Sequence, residues 1–559
     1  MTSSLWSPTV TAVDTQLREE LASIQSALYG AGMVGFDPAL PYPDNSIGKA
    51  LKALSPATAA EYADIRLYGA IGDGVADDTA AINACIAANS KIFIPAAPNY
   101  WKITSSLNIT ASNKKILGAD RFLSKIQMNN GIFPMFAISA ALSNVEISNL
   151  SLSRTTSASA TGHGINCNFS ATSMLFTNLI IENQWDGMHL GPAERSLIYN
   201  CQVQNNYNHG ISLESFINAN MTWNIAHSNT SYNVNNGINV AGVGSAVVTT
   251  LGEFTAVVSE YNGNYGLSVI GTASKRITSL RVNGGVYSYN GAGGIYVDSY
   301  STRHRIVGVS ANLSGTAATG RQASPIGISS IGSGITFTAN NNEVNISGCV
   351  CIRNSYAGMD ISSPFGTITG NTCNSNGANA TAAAAMRTGI KLSGGKFTCS
   401  GNSCANTAGD TNQVNGIHLS TLLASIVAGN NCDANTGNGI HFLSGAGVGI
   451  SDNNLLNNGV ALLNAAGDNT SRVTGNLGFN PQPADTVAIG TSPWTYTAGN
   501  TPETIYWRGG TVSVVAIDGL TIATASTGAA FPSTIELGPN ESMTLTFSVV
   551  PTNFTRKRH

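Results

Sequence analysis

The sequence predicts an all-β chain dominated by a parallel β-helix, with a helical neck before it and an antiparallel β domain after it. Two observations carry that reading. Charged residues make up only 10% of the 559 positions while glycine reaches 60, against roughly 25% charge in an ordinary globular chain. A Gly–apolar–x–apolar phrase also recurs from Gly164 to Gly439 at intervals of 23 to 33 residues, with Gly327 taken as the rung between Gly294 and Gly358. Helices usually display charged faces, whereas long β structure with tight turns uses Gly and Asn.

The totals also exclude classes. A net charge of −3 gives no basic footprint for nucleic acid. No run of 18 apolar residues is present, so no membrane insertion is expected. The opening "MTSSLWSPTV" lacks a basic stretch followed by an apolar core and does not read as a secretory signal. Four of the nine cysteines, Cys351, Cys373, Cys404 and Cys432, recur in similar phrases. They read as a stack of buried reduced thiols rather than zinc ligands or disulfides. No metal and no cofactor is expected.

In residues 10–28, Val10, Leu17, Leu21, Ile24 and Leu28 follow three- and four-residue steps. They suit a short coiled-coil seam or a helix packed on its own chain. The following "GAGMVGFDPALPYPDNSIGKALKAL" resembles the neck phrase before the β-helix of many phage tail proteins. Residues 1–62 are therefore assigned to a helix and neck for virion attachment or trimerisation.

Next comes "DIRLYGAIGDGVADDTAAINACIAA", followed by "KIFIPAAPNYWKI". This stretch resembles the opening segment of the pectate-lyase-like right-handed parallel β-helix proteins, a superfamily that includes bacteriophage tailspikes. Physically, Asp77 or Asp78 would cap a helix over Thr79–Ala88. Ile82, Cys85 and Ile86 would then cover the open end of the solenoid. Asp73, Asp77 and Asp78 are read as architecture rather than as a metal or catalytic site.

Residues 63–480 form the predicted β-helix, the polysaccharide-binding and cleaving part. Each coil cannot bury its apolar face alone and must stack on the next, about 4.8 Å away. Coils between about 182 and 365 are longer, and insertions of a solenoid lie on its surface. Aligned on the glycines, Glu214 and Asp298 share one outward row three coils apart, about 14 Å. That is too far for the two carboxyl groups of a glycosidase. Glu260 lies one coil before Asp298, so the leading pair is Glu260 with Asp298, and Glu214 is the alternative partner. In a trimer a neighbouring chain could supply an acid. Trp185 and Asp186 suit a sugar subsite or a turn with an inward Trp. Arg276 and Arg305 could hold an acidic sugar or pair with Glu253. With Tyr296 as base, they would suit a lyase.

After residue 480 the rhythm stops. Residues 481–559 alternate like antiparallel strands and resemble carboxyl-terminal modules that hold tailspike trimers together. Trp494, Tyr506 and Trp507 are read as core or subunit interface. The resemblance as a whole implies a homotrimeric phage tailspike located in the virion tail. It would attach to the tail or baseplate through its N-terminus and depolymerise capsule or lipopolysaccharide O-antigen by endoglycosidic hydrolysis with paired carboxylates. A non-catalytic receptor-binding spike and a polysaccharide lyase are the alternatives.

Overall fold

The computed structural model describes residues 62–215, 222–242, 247–250, 252–298, 300, 302–314, 332–465, 470–499, 501–524 and 533–559. The expected neck helix and the whole of the neck phrase lie outside the described residues.

The chain winds as a parallel β-helix with three faces. A first sheet of 14 strands contains the Gly–apolar–x–apolar phrases, and a second of 16 strands takes the chain back. A third face begins as a five-stranded sheet, from Trp101–Ile103 to Gln202–Gln204. It continues coil by coil as single bridges, from Gln202–Asn229 to Asn454–Leu477. In each coil the chain passes from first to second to third face. Ile211, Ile238, Leu267 and Ile295 stack in register and are fully buried. Each such side chain contributes roughly 1.5–3 kcal/mol.

The recurring glycine is required by close approach. A Cβ at Gly210 would lie 2.5 Å from the carbonyl oxygen of Gly237, and one at Gly266 2.8 Å from that of Gly294. Left-handed backbone at the turns is supplied instead by residues such as Asn178, Asn183, Asn200 and Asn205. The rung after Gly294 starts at Gly334, not at the expected Gly327. Ile295 pairs with Ile335, which in turn pairs with Met359. Gly327 lies outside the described residues.

Buried amides tie the coils together. The Asn233 backbone and side-chain amides both donate to Asn262 Oδ1 at 3.0 Å, and those of Asn262 donate likewise to Asn290. All three residues have no exposed surface. A second ladder runs through Asn371, Asn402, Asn430, Asn453 and Asn476 at the corner between the second and third faces. All nine cysteines are free and buried, and burial pushes the Cys201 and Cys349 thiols up to about 12.

The acids of the opening segment build a corner. Asp77 accepts from the Thr79 amide at 3.1 Å and from Thr104 Oγ1 at 2.6 Å. Asp78 stands just before the helix Thr79–Ala88, but its carboxylate turns back to the Ile71 and Gly72 amides. Ile82, Cys85 and Ile86 are buried under the helix as expected. At the far end, two four-stranded antiparallel sheets form the C-terminal domain. Trp507 is buried in its core and Trp494 packs edge-on against Phe554 at 4.8 Å, whereas Tyr506 is exposed.

The ladder makes a quantitative demand. Asn262→Ala leaves the Asn233 amides without their acceptor and should cost about 1–3 kcal/mol. Urea denaturation checks this; an unchanged midpoint would remove the ladder from the list of stabilising devices.

Candidate functional site

The outer face of the first sheet, near the third face, carries a cluster built on three successive coils. The residue just before the rung glycine is His163, then Asp186, then His209. Two residues after Gly187 stands His189, outward on Met188–Leu190. Asp186 is 2% exposed. Its Oδ1 accepts from Asn208 Nδ2 at 2.8 Å and from the His209 amide at 3.0 Å. Its Oδ2 lies 3.0 Å from His189 Nδ1 and 3.3 Å from His163 Nδ1. The His189 contact is a well-aligned hydrogen bond, while the His163 contact is oblique. The far nitrogen of His189, Nε2, is 3.7 Å from Glu214 Oε2. Glu214, at the end of Ile211–Ser215, remains partly open to solvent.

Electrostatics follows from this geometry. Burial alone would raise the Asp186 carboxyl, but the close ring nitrogen of His163, the hydrogen bond from His189 and the neighbouring imidazoles hold it well below the carboxylate range. Burial pulls His189 down, yet the Asp186 hydrogen bond and the Asp186 and Glu214 charges outweigh it and hold the imidazole above its ordinary value. His163 and His209 go the other way, because burial exceeds the pull of Asp186. His209 Nδ1 accepts from the Asn236 amide at 3.2 Å, which places its proton on Nε2. Behind the cluster, Arg154 is buried, bonded to Gln184 Oε1 and to the carbonyls of Asn130, Phe133 and His163. Burial brings it down to about 10.

His163, Asp186 and His189 bring three donor atoms within 4.8 Å of one another. The two rings, however, stack at 4.4 Å and 21°. Their in-plane lone pairs therefore run side by side instead of converging as a metal requires. The trio suits proton sharing: Asp186 fixes the His189 tautomer and leaves Nε2, facing Glu214, to exchange a proton with a ligand.

The other expected residues are placed as follows. Glu214 and Asp298 do share one column, through Ala241 and Ile270 on the intervening rungs. Asp298 accepts from Thr338 Oγ1 at 2.7 Å and Asn340 Nδ2 at 2.8 Å. Glu260 is not brought to Asp298. It ends the third face ahead of Tyr265, while Asp298 lies beside Ile270. The strand Tyr265–Ile270 separates them by roughly 16 Å at 3.3 Å per residue. Burial raises the Glu260 carboxyl, and the next residue, Tyr261, stacks between Tyr232 and Tyr289. Tyr296 stacks on Tyr265 at 4.8 Å on the first sheet. Arg305 is on the second sheet beside Arg281, and Arg276 is exposed on Lys275–Thr278, its Nε bonded to the Ala273 carbonyl. The proposed Tyr296, Arg276 and Arg305 grouping is therefore not formed. Trp185 is half-buried on its turn and is not among the core residues. The sequence reading missed His163, His189 and His209 as a group. The signal was there, because reading one residue before the rung glycine gives His, Asp, His on consecutive coils.

Residues 108–252 match a family model described as the right handed beta helix region. No curated protein matches the chain. Among solved structures, the Dettilon tailspike protein is 14% identical over 97% of this chain and 99% of its own, with a TM-score of 0.37. The A-module of the mannuronan C-5 epimerase AlgE6 of Azotobacter vinelandii is 15% identical over 75% and 100%, with a TM-score of 0.37. The catalytic unit of a GH87 α-1,3-glucanase from Streptomyces thermodiastaticus is 14% identical over 68% and 65%, with a TM-score of 0.39.

The raised His189 value means that the folded state holds a proton there that the unfolded chain releases. That stabilisation is present below about pH 6.5 and is lost as pH rises through the folded value. Asp186→Asn should cost about 3–5 kcal/mol, and the gap to wild type should be wider at pH 6 than at pH 9. Urea unfolding of both proteins at the two pH values checks it; a gap that is constant or wider at pH 9 contradicts the assignment.

Proposed function

We propose that the chain is a homotrimeric phage tailspike that binds and depolymerises a bacterial surface polysaccharide, capsule or lipopolysaccharide O-antigen, by endoglycosidic hydrolysis. The observation that carries this is His189 held between Asp186 and Glu214 on the outer face of a long solenoid. The resemblances of the opening segment and the neck phrase support the spike assignment and attachment to the tail through the N-terminus.

Glycoside hydrolysis needs one group to protonate the leaving oxygen and one to activate water or stabilise the sugar cation. His189, with its proton held by Asp186, is the donor. Glu214, the more exposed of the two carboxylates beside it, meets the sugar. Asp186 is too buried to touch substrate and acts as a positioning residue. Asp298, with the Tyr265 and Tyr296 rings, extends the same face three rungs along and is assigned to sugar contacts. Trp185 flanks the cluster on the other side. Glu260 would act only on a chain crossing the margin near the third face.

Eliminative cleavage is the second reading, favoured by one feature: Asp186 behind Nδ1 also prepares a neutral His189 to act as a base. The two differ in sign. Hydrolysis with His189 as acid declines as pH rises through the imidazole value, whereas elimination increases. Elimination also leaves an unsaturated, ultraviolet-absorbing sugar.

The test is mass spectrometry of products from purified capsule or O-antigen. Glu214→Gln and His189→Gln should each lower the release of reducing ends by about 100-fold or more while binding persists. Intact polymer after prolonged incubation with a spike that binds it would leave a receptor-binding protein without catalysis.

A further inference from the structure

The second sheet carries a charged cleft that the reading above does not use. Its outward column runs from Glu253 through Arg281 and Arg305 to Asn345 on four successive coils. Arg303 stands beside Arg305, with Glu343 near it on the following coil. Together these residues line a cleft of about 390 Å³.

Arg281 and Arg305 are direct rung neighbours, and both are exposed. Like charges placed so are mutually destabilising. The like-charged rung neighbours Lys91 and Lys115 differ in that Lys115 meets Glu146 at 3.2 Å, and Asp360 and Lys391 pair with opposite signs at 3.0 Å. Among the described residues, no hydrogen bond or ion pair reaches the guanidinium of Arg281, Arg303 or Arg305. Glu253, next in the column, is engaged by the Asn283 side chain instead. By contrast, Arg353 is matched with Asp410 and Arg556 with Asp485. Arg303 is also held at φ 67, a left-handed position that other coils fill with Asn113, Asn144, Ser173, Arg195 or Ser279. A long L side chain is held there against its backbone preference.

We infer that Arg281, Arg303 and Arg305 form a second carbohydrate site that binds the carboxylate of an acidic sugar. The inference rests on the polysaccharide reading above and adds a substrate class to it. A carboxylate placed between two guanidiniums removes their repulsion and accepts forked hydrogen bonds from each. Glu253 and Glu343 supply acceptors for the hydroxyls of the same sugar. That mixture of donors and acceptors suits a uronate better than a polyphosphate, which both glutamates would repel. The site faces away from the His189 cluster, so it holds polymer without taking part in cleavage.

Calorimetric titration of the full chain with tetragalacturonate and with its methyl ester tests this. The acid should bind at least tenfold more tightly than the ester. An Arg281→Gln, Arg305→Gln double variant should lose that tenfold, while Lys396→Gln on the same sheet should keep it. All three side chains are exposed, so the variants retain the fold. Equal binding of acid and ester by the wild type, or an unaltered preference in the double variant, overturns the inference. A spike that cleaves surface polysaccharide without this preference loses only the second site. One with the preference that cleaves nothing keeps the site and loses the depolymerase reading.

Discussion

The fold depends on amides that have nowhere else to bond. At the corner between the third and first faces the backbone leaves the sheets, and its N–H groups point along the solenoid axis with no strand partner. Asn233, Asn262 and Asn290 solve this by accepting, at one side-chain oxygen, both the backbone and the side-chain amide of the asparagine on the preceding coil, the first of these donors being Asn206. A slip of one residue would leave these groups orphaned in a dry interior, and each orphan costs as much as a good hydrogen bond contributes. The apolar columns alone would tolerate a slip that preserved their alternation more readily than this ladder does.

A fixed register makes chemistry from distant positions. His163, Asp186 and His209 are separated by whole coils in the chain, yet stacking puts Asp186 against both its neighbours. The same stacking accounts for the opposed behaviour of the three imidazoles. All are desolvated, but His189 alone lies between two carboxylates. The buried Arg154 completes the cluster by ordering the carbonyls around His163. The second sheet shows the converse arrangement, in which the register superposes Arg281 on Arg305 with no acid bound to either.

Much of this was legible in the residues themselves. Glycine before an apolar alternation marks a rung because successive backbones approach too closely there for a Cβ, and ten such phrases begin strands of the first sheet. The phrase at Gly327 misled because the same short pattern arises by chance in a Gly- and Ser-rich stretch; Gly334, seven residues on, holds the register. The shared column of Glu214 and Asp298 was read correctly. Glu260 failed as a partner because alignment by coil gives height along the axis but not position around it. Two acids at similar height stand on different margins of one strand.

The sequence by itself determined the winding, the coil boundaries other than the one at Gly334, the buried thiol stack, the corner built by Asp73, Asp77 and Asp78, and the change to an antiparallel domain after residue 480. All of these follow from local patterns of side-chain size and backbone preference repeated along the chain. Only the tertiary structure decided which polar residues meet. Whether Asp186 faces His189 or solvent, and whether Arg281 finds an acid, depends on the angle at which each turn leaves its strand. That angle is fixed by packing between coils, which no single coil encodes.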